Sequence, residues 1–284
     1  MTPRSVALLV ILAALWGGSF VFMRVAVPAL GPIPLAFARV TLAATVLLAL
    51  AVAQRRMPNL RSRWREFAVV GIVNSALPFV LFCYAEQYIT ASAAAILNAT
   101  SPFFGAIAAA IWLREALTWR KLAGMTLGFA GVAVLVGWQP EDMTREIALA
   151  FGACLAASLC YGLGGTFTKR HLSGVPVFSI ACGSQLAAAI TLAPAVPFAS
   201  IPGPVTALVA ANVLALAIAS TAVAYLIYFK LIADAGPARA LTVTFLIPLF
   251  GVLWGFLFLG EALTPNMLAG GALIVAGTAL AIKS

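Results

Sequence analysis

Charge is what this chain has least of. Asp, Glu, Lys and Arg make up 9% of its 284 residues, against about 25% in an ordinary soluble domain. A soluble fold cannot hide so much apolar surface, so the bilayer must be the solvent for most of the chain. There is 1 histidine, and the 4 cysteines (Cys83, Cys154, Cys160 and Cys182) lack CxxC spacing. They read as small core residues, not as disulfides or metal ligands. No P-loop, HExxH or GxSxG pattern occurs, so ATP hydrolysis and familiar hydrolase chemistry have no support. No cofactor is expected, and no enzymatic activity. Strand alternation is missing too, which excludes a barrel and leaves helices.

What is present is apolar sequence, 63% of the chain. Ten segments of roughly 20 residues can be marked, each about long enough to cross hydrocarbon: 5–27, 32–53, 66–88, 91–113, 119–137, 147–169, 174–196, 205–231, 237–259 and 265–282. A net charge of +9 could suggest a nucleic-acid partner. The basic residues instead fall in every second loop: Arg55 to Arg65, then Arg114, Arg120 and Lys121, then Lys169 and Arg170, then Lys230 and Arg239. The intervening loop from Gln139 to Glu146 is acidic. Basic loops stay on the cytoplasmic side, which places both termini there and agrees with an even number of spans. No nucleic acid is expected. Arg4 before an apolar run has the look of a cleaved leader, but removal would leave nine spans, so the first segment is expected to be a working helix.

The strongest signal is internal. Residues 94–133 reappear as 240–279, with about 16 of the 40 positions identical and no gap. Adding 146 to Pro102, Phe104, Gly105, Leu113, Glu115, Ala116, Leu117, Thr118 and Gly124 gives Pro248, Phe250, Gly251, Leu259, Glu261, Ala262, Leu263, Thr264 and Gly270. Duplicated membrane units are the usual construction of secondary transporters, whose substrate site lies where the repeats meet. Five spans per copy is odd, so the second copy must enter the membrane inverted. The expected fold is an all-α integral membrane protein of ten transmembrane helices in two inverted five-helix repeats, residues 1–140 and 141–284, both termini cytoplasmic.

Leu113-Arg114-Glu115-Ala116-Leu117-Thr118 followed by Leu122-Ala123-Gly124, with the copy at 259–270, resembles the paired signatures of the drug/metabolite transporter superfamily, EamA branch. Leu12 to Phe20 is similar to that family's opening helix, and Arg39 fits its pattern. The resemblance covers essentially the whole chain. It implies a ten-span inner-membrane carrier for amino acids or other small metabolites, with YddG-type amino-acid exporters the nearest kind.

Several residues are candidates for that work. Arg39 sits about seven residues into its span, roughly 10 Å deep at 1.5 Å per residue. There it can draw a substrate carboxylate, pair with Glu86, or snorkel to the surface. Pro78, Pro102 and Pro248 each remove a backbone bond near mid-span and are candidate hinges or packing kinks. Gly17, Gly18, Gly164 and Gly165 recur in corresponding spans, which suggests that those two helices slide on each other. Asn74, Asn98, Tyr161 and Tyr225 carry polar groups that need a partner or water at membrane depth. Trp16 and Phe79 supply walls, and Thr244 a hydrogen-bond partner. Ser158, Ser220, Thr221 and Thr242 lie at the same depth, where small hydroxyls mostly serve packing. Glu115 and Glu261 precede Thr118 and Thr264 by three residues, so they read as structural caps bonding backbone donors in a tight hairpin, in preference to proton sites.

The resulting expectation is a carrier of aromatic or hydrophobic neutral amino acids, working by alternating access through a largely uncharged, aromatic-lined cavity. Substrate-binding residues are Trp16, Asn74, Phe79, Asn98, Tyr161, Tyr225 and Thr244. Drugs or other small metabolites are alternatives within the class. A lipid-modifying enzyme would need clustered acids or a nucleophile that the interior lacks, and a non-transporting scaffold would tolerate loss of the polar centre. Partners are a small-molecule substrate and membrane lipid; the sequence leaves the oligomeric state open, a monomer being one option.

Overall fold

The computed structural model describes residues 2–55, 58–136, 143–235 and 243–282. Helix is all that these residues form besides turns and loops. In chain order the elements are α1 (Pro3–Leu30), α2 (Pro32–Ala53), α3 (Trp64–Gly71), α4 (Leu77–Ala85), α5 (Ala91–Asn98), α6 (Ser101–Leu113), α7 (Trp119–Val136), α8 (Arg145–His171), α9 (Val177–Leu192), α10 (Ala207–Ala217), α11 (Ala224–Ala235), α12 (Val243–Leu259) and α13 (Pro265–Ile282). All ten expected apolar segments contain helix among the described residues. By length and hydropathy, seven helical stretches qualify as membrane-crossing, while Val243–Leu259 and Pro265–Leu280 are apolar but shorter. The acidic stretch 139–142, the boundary at 140/141, Arg239 and Thr242 lie outside the described residues.

Local chemistry explains where the helices start. Thr2, Thr90, Thr144 and Thr206 each accept a hydrogen bond from the N–H three residues on, satisfying a donor that the first turn leaves orphaned. Gly31 turns the chain sharply between α1 and α2 at φ 75°, with Pro32 following at the first helical turn. Large apolar side chains such as Ile111 (69% exposed) and Phe258 (70%) point outward, which is stable only if the surroundings are apolar.

Two local irregularities matter more. The rod from α3 to α4 passes through a π-turn at Ile72–Ala76, and the rod from α10 to α11 through another at Ile218–Val223. Their first residues are 146 apart. A π-turn leaves one residue out of the regular ladder and is rare unless something uses it. The packing repeats in the same way. α1 lies on α12 as α8 lies on α6, α3 on α9 as α10 on α2, and α4 on α8 as α11 on α1. α2 meets α9, α5 meets α12, and α7 meets α13. At the α7–α13 seam a Cβ on Gly131 would stand 2.7 Å from the Gly270 carbonyl, and one on Gly277 would stand 2.7 Å from the Gly128 nitrogen. These glycines let the two backbones touch.

Glycine placement corrects one expectation. α1 and α8 do not use their glycines against each other. A Cβ on Gly17 would meet Phe250 Cβ at 2.7 Å and Gly251 N at 2.8 Å, whereas Gly162 faces Gly105 N at 2.5 Å and Phe104 Cβ at 2.8 Å. Phe250 and Gly251 are Phe104 and Gly105 plus 146, so the same crossing is built twice. Gly18 has only ordinary contacts near 3.7 Å and Gly165 has nothing within 4 Å, while Gly164 abuts Asn74 Oδ1 at 2.8 Å. The prolines also differ. Pro78 and Pro102 open α4 and α6, the latter after a break at Ala99–Thr100, but Pro248 lies inside the continuous α12.

Candidate substrate cavity

A cavity of about 310 Å³ opens where the helices of both halves converge, within the size range of small-molecule sites. Trp16, Asn74, Phe79, Asn98, Tyr161, Tyr225 and Thr244 all line it, and so do Arg39 and Gly165. The remaining lining includes Ser19, Phe20, Met23, Phe82, Ser101, Ser220, Tyr228, Val243 and Ile247.

The lining is paired. Adding 146 converts Asn74 to Ser220, Phe79 to Tyr225, Phe82 to Tyr228, Asn98 to Thr244 and Ser101 to Ile247, and both members of every pair line the cavity. The glycine crossing aligns Gly17 with Gly162, which brings Trp16 into register with Tyr161. The ring contacts agree. Trp16 packs on Tyr228 with centroids 5.4 Å apart, and Tyr161 on Phe82 at 6.1 Å. Trp16 also meets Tyr225 edge-on at 6.4 Å, an arrangement that the ring quadrupoles favour.

The charged centre follows the same rule. Arg39 is buried, with 6% of its surface exposed. Its Nε donates to Thr221 Oγ1 at 3.1 Å, one terminal nitrogen faces Met23 Sδ at 3.6 Å, and the guanidinium carbon lies 3.7 Å from the Phe79 ring centroid. Gln185 is Arg39 plus 146, and Ser75 plus 146 is Thr221. Gln185 Nε2 donates to Ser75 Oγ at 3.0 Å, and Tyr225, the mate of Phe79, interacts with Ser75 and Gln185. Both pairs are therefore the same bond between a second-span residue and the π-turn of the other half.

Of the alternatives for Arg39, the pair with Glu86 does not form: Arg39 lines the cavity and bonds Thr221. Glu86 is fully buried at the end of α4, where Arg24 donates to its backbone carbonyl. Neither Glu86 carboxylate oxygen has a hydrogen-bond partner among the described residues. Hydroxyls at cavity depth are mostly spent on helices: Ser220 donates to the Leu15 carbonyl at 2.7 Å and Ser158 to that of Leu97 at 3.2 Å. Glu115 and Glu261 lie away from the cavity. Glu261 does bond backbone donors, but those of α5 and not of its own hairpin, whereas Glu115 binds Lys169 Nζ at 2.7 Å. Gln185, Phe82 and Tyr228 were not singled out from sequence. The signal for Gln185 and Tyr228 was the offset itself, which carries Arg39 and Phe82 onto them.

Helices duplicated at a fixed offset, lipid-compatible outside and lined with paired polar and aromatic residues inside, define a multi-pass membrane transporter. The model of the EamA-like transporter family matches the chain twice, over residues 4–137 and 148–283, and the chain belongs to that family. A Streptantibioticus cattleyicolor protein named "Probable terminal-alkyne amino-acid exporter" is 29% identical, with 98% of this chain and 93% of that one covered. The S-adenosylmethionine/S-adenosylhomocysteine transporter of Chlamydia trachomatis is 25% identical over 94% of this chain and 86% of its own. A solved crystal structure aligns at a TM-score of 0.69, covering 99% of this chain and 98% of that one at 20% identity, a likeness of fold.

Proposed function

We propose that the chain is a secondary carrier that exports small metabolites, amino acids with aromatic or hydrophobic side chains, by alternating access. The observation that carries this reading is the paired lining: five pairs of positions 146 apart meet around one cavity. A site on the axis between two halves can be exposed to either side by tilting one half against the other. In this reading ten helices cross a bacterial-type inner membrane as two inverted five-helix repeats, residues 1–140 and 141–284, with both termini cytoplasmic. Trp16, Phe79, Tyr161 and Tyr225 hold the side chain, and Asn74, Asn98 and Thr244 bond its polar end. The π-turns and Pro78, Pro102 and Pro248 absorb the motion. Relatives named for an amino-acid exporter and for an S-adenosylmethionine carrier support a substrate of this kind. A transporter is favoured over an enzyme on the same grounds. Apolar walls discriminate weakly, so substrate choice should be broad.

The test is uptake of radiolabelled amino acids into liposomes carrying the purified protein. Saturable uptake of the aromatic members, competed by their relatives, is expected. Asn98→Ala and Tyr161→Ala should each lower it by about tenfold, the loss of one good polar or ring contact. Folded protein that moves no amino acid above empty liposomes overturns the substrate assignment.

A further inference from the structure

We propose that Arg39 anchors a carboxylate, so that the cavity takes anionic or zwitterionic substrates and rejects organic cations lacking one. This deepens the carrier reading and rests on it. Three observations lead there.

The first is an uncompensated charge. Among the described residues that line the cavity Arg39 is the one that is charged, and none of them is Asp or Glu. Among the described residues its hydrogen-bond acceptors are a neutral hydroxyl and a thioether sulfur, and it forms no ion pair. A thioether is a weak acceptor. Burying a guanidinium with no anion is costly, and the Phe79 face offsets only part of that.

The second is a comparison internal to the protein. Gln185 occupies the matching place and makes the matching bond, to Ser75 at 3.0 Å where Arg39 bonds Thr221 at 3.1 Å. A neutral amide therefore suffices to tie the second span of a half to the opposite π-turn. The charge at Arg39 is surplus to that structural task, and it is present in only one of the two halves.

The third is position. The guanidinium carbon lies 3.7 Å from the Phe79 ring centroid, and Thr221 holds Nε. A guanidinium pinned in this way is pre-organised to meet a carboxylate with two parallel N–H bonds. With the carboxylate there, a hydrophobic side chain lies among Trp16, Tyr161 and Tyr228. An amine without a carboxylate meets an unscreened like charge.

The experiment compares three phenyl compounds in proteoliposomes and by thermal unfolding: L-phenylalanine, 3-phenylpropionate (no amine) and 2-phenylethylamine (no carboxylate). Wild type should be stabilised against heat by the two carboxylates and not by the amine. Its uptake of phenylalanine should exceed that of the amine by roughly tenfold to hundredfold, the range of one charged hydrogen-bonded contact. Arg39→Gln copies the residue of the other half, so the bond to Thr221 can persist. It should unfold at or above the wild-type temperature without ligand, lose the carboxylate-induced shift, raise the KM for phenylalanine by about tenfold, and admit the amine better than wild type does. Arg39→Lys should restore part of the shift. Stabilisation by the amine equal to that by the carboxylates, or an Arg39→Gln protein that keeps the carboxylate shift, overturns the proposal. A carboxylate shift without any flux leaves Arg39 as the anchor and overturns the carrier reading. No shift by either carboxylate in folded wild type overturns the anchor.

Discussion

The two copies of the Glu-Ala-Leu-Thr motif begin alike and end differently. The residue before each glutamate is left-handed, Arg114 at φ 56° and Gly260 at φ 65°. The Glu115 N–H bonds the Ala109 carbonyl at 3.3 Å and the Glu261 N–H that of Gly255 at 3.2 Å, again 146 apart. Thr118 and Thr264 both cap the next helix. Then the carboxylates part. Glu261 accepts from Ala91 N at 2.7 Å, Ser92 N at 3.0 Å and Ser92 Oγ at 2.5 Å, and so stitches α12 to the first turn of α5, where a helix dipole welcomes negative charge. Glu115 makes a surface ion pair with Lys169 at the end of α8. In this motif the backbone chemistry is duplicated with the sequence, whereas the partners of the two carboxylates among the described residues differ. Among the described residues one copy of the motif is sewn to another helix, and the other is held by a contact that solvent can replace.

The largest effect should come from breaking what the halves share. Gly162→Val and Gly17→Val each force side-chain atoms into backbone only 2.5–2.8 Å from the first added carbon. Each should cost at least about 1–3 kcal/mol, the range of core overpacking, read as a lower unfolding temperature and poorer yield. Gly165→Ala, with nothing within 4 Å, should keep the wild-type unfolding temperature. Tolerance of Val at Gly162 but not at Gly17 would show that the two crossings differ in strain despite equal geometry. A smaller effect separates the glutamates. Glu261→Ala strands two backbone donors and a hydroxyl, at about 1–3 kcal/mol. Glu115→Ala removes an exposed pair worth about 0–1 kcal/mol. Equal losses in unfolding would erase the asymmetry.

Much of this architecture could be read from sequence because its determinants are local. Apolar runs, threonine caps and the offset of 146 need no knowledge of neighbours. Depth and polarity alone picked Asn74, Asn98, Tyr161 and Thr244, all of which line the cavity. What depended on distant partners was not legible. Glu261 finds Ser92, 169 residues away, because the halves interlock, and no helical periodicity reports that. Arg39 does not reach Glu86, since its rotamer is set by Thr221 and Phe79. The glycines of α1 and α8 looked like one shared interface because they recur. They form two equivalent ones, Gly17 against Phe250 and Gly251 and Gly162 against Phe104 and Gly105, each beside a helix of the other half. Tyr228 and Gln185 stand out only once their mates, Phe82 and Arg39, are located.

The smallest and most specific contrast is acid sensitivity at Glu115. The hydrogen bond from Lys169 holds its carboxyl below the ordinary range, against the opposing cost of desolvation and with help from the positive charges of Lys169 and Lys121. A carboxyl depressed in the folded state stabilises above its unfolded value, near 4.3. That contribution is lost as pH falls through the lower folded value. Stability should therefore be indifferent to this pair from neutrality to about pH 5 and fall on further acidification. Because the carboxyl is partly exposed, the increment should be only about 0.5 kcal/mol and should shrink with added salt. Glu115→Gln should flatten that part of the acid limb while leaving stability at pH 7 lower by the same small amount. Lys169→Met should reproduce the flattening, because the pair and not the carboxylate alone supplies it. An acid limb identical in wild type and both variants would mean that the surface pair contributes nothing, leaving Glu261 as the only copy of the motif that holds the halves together.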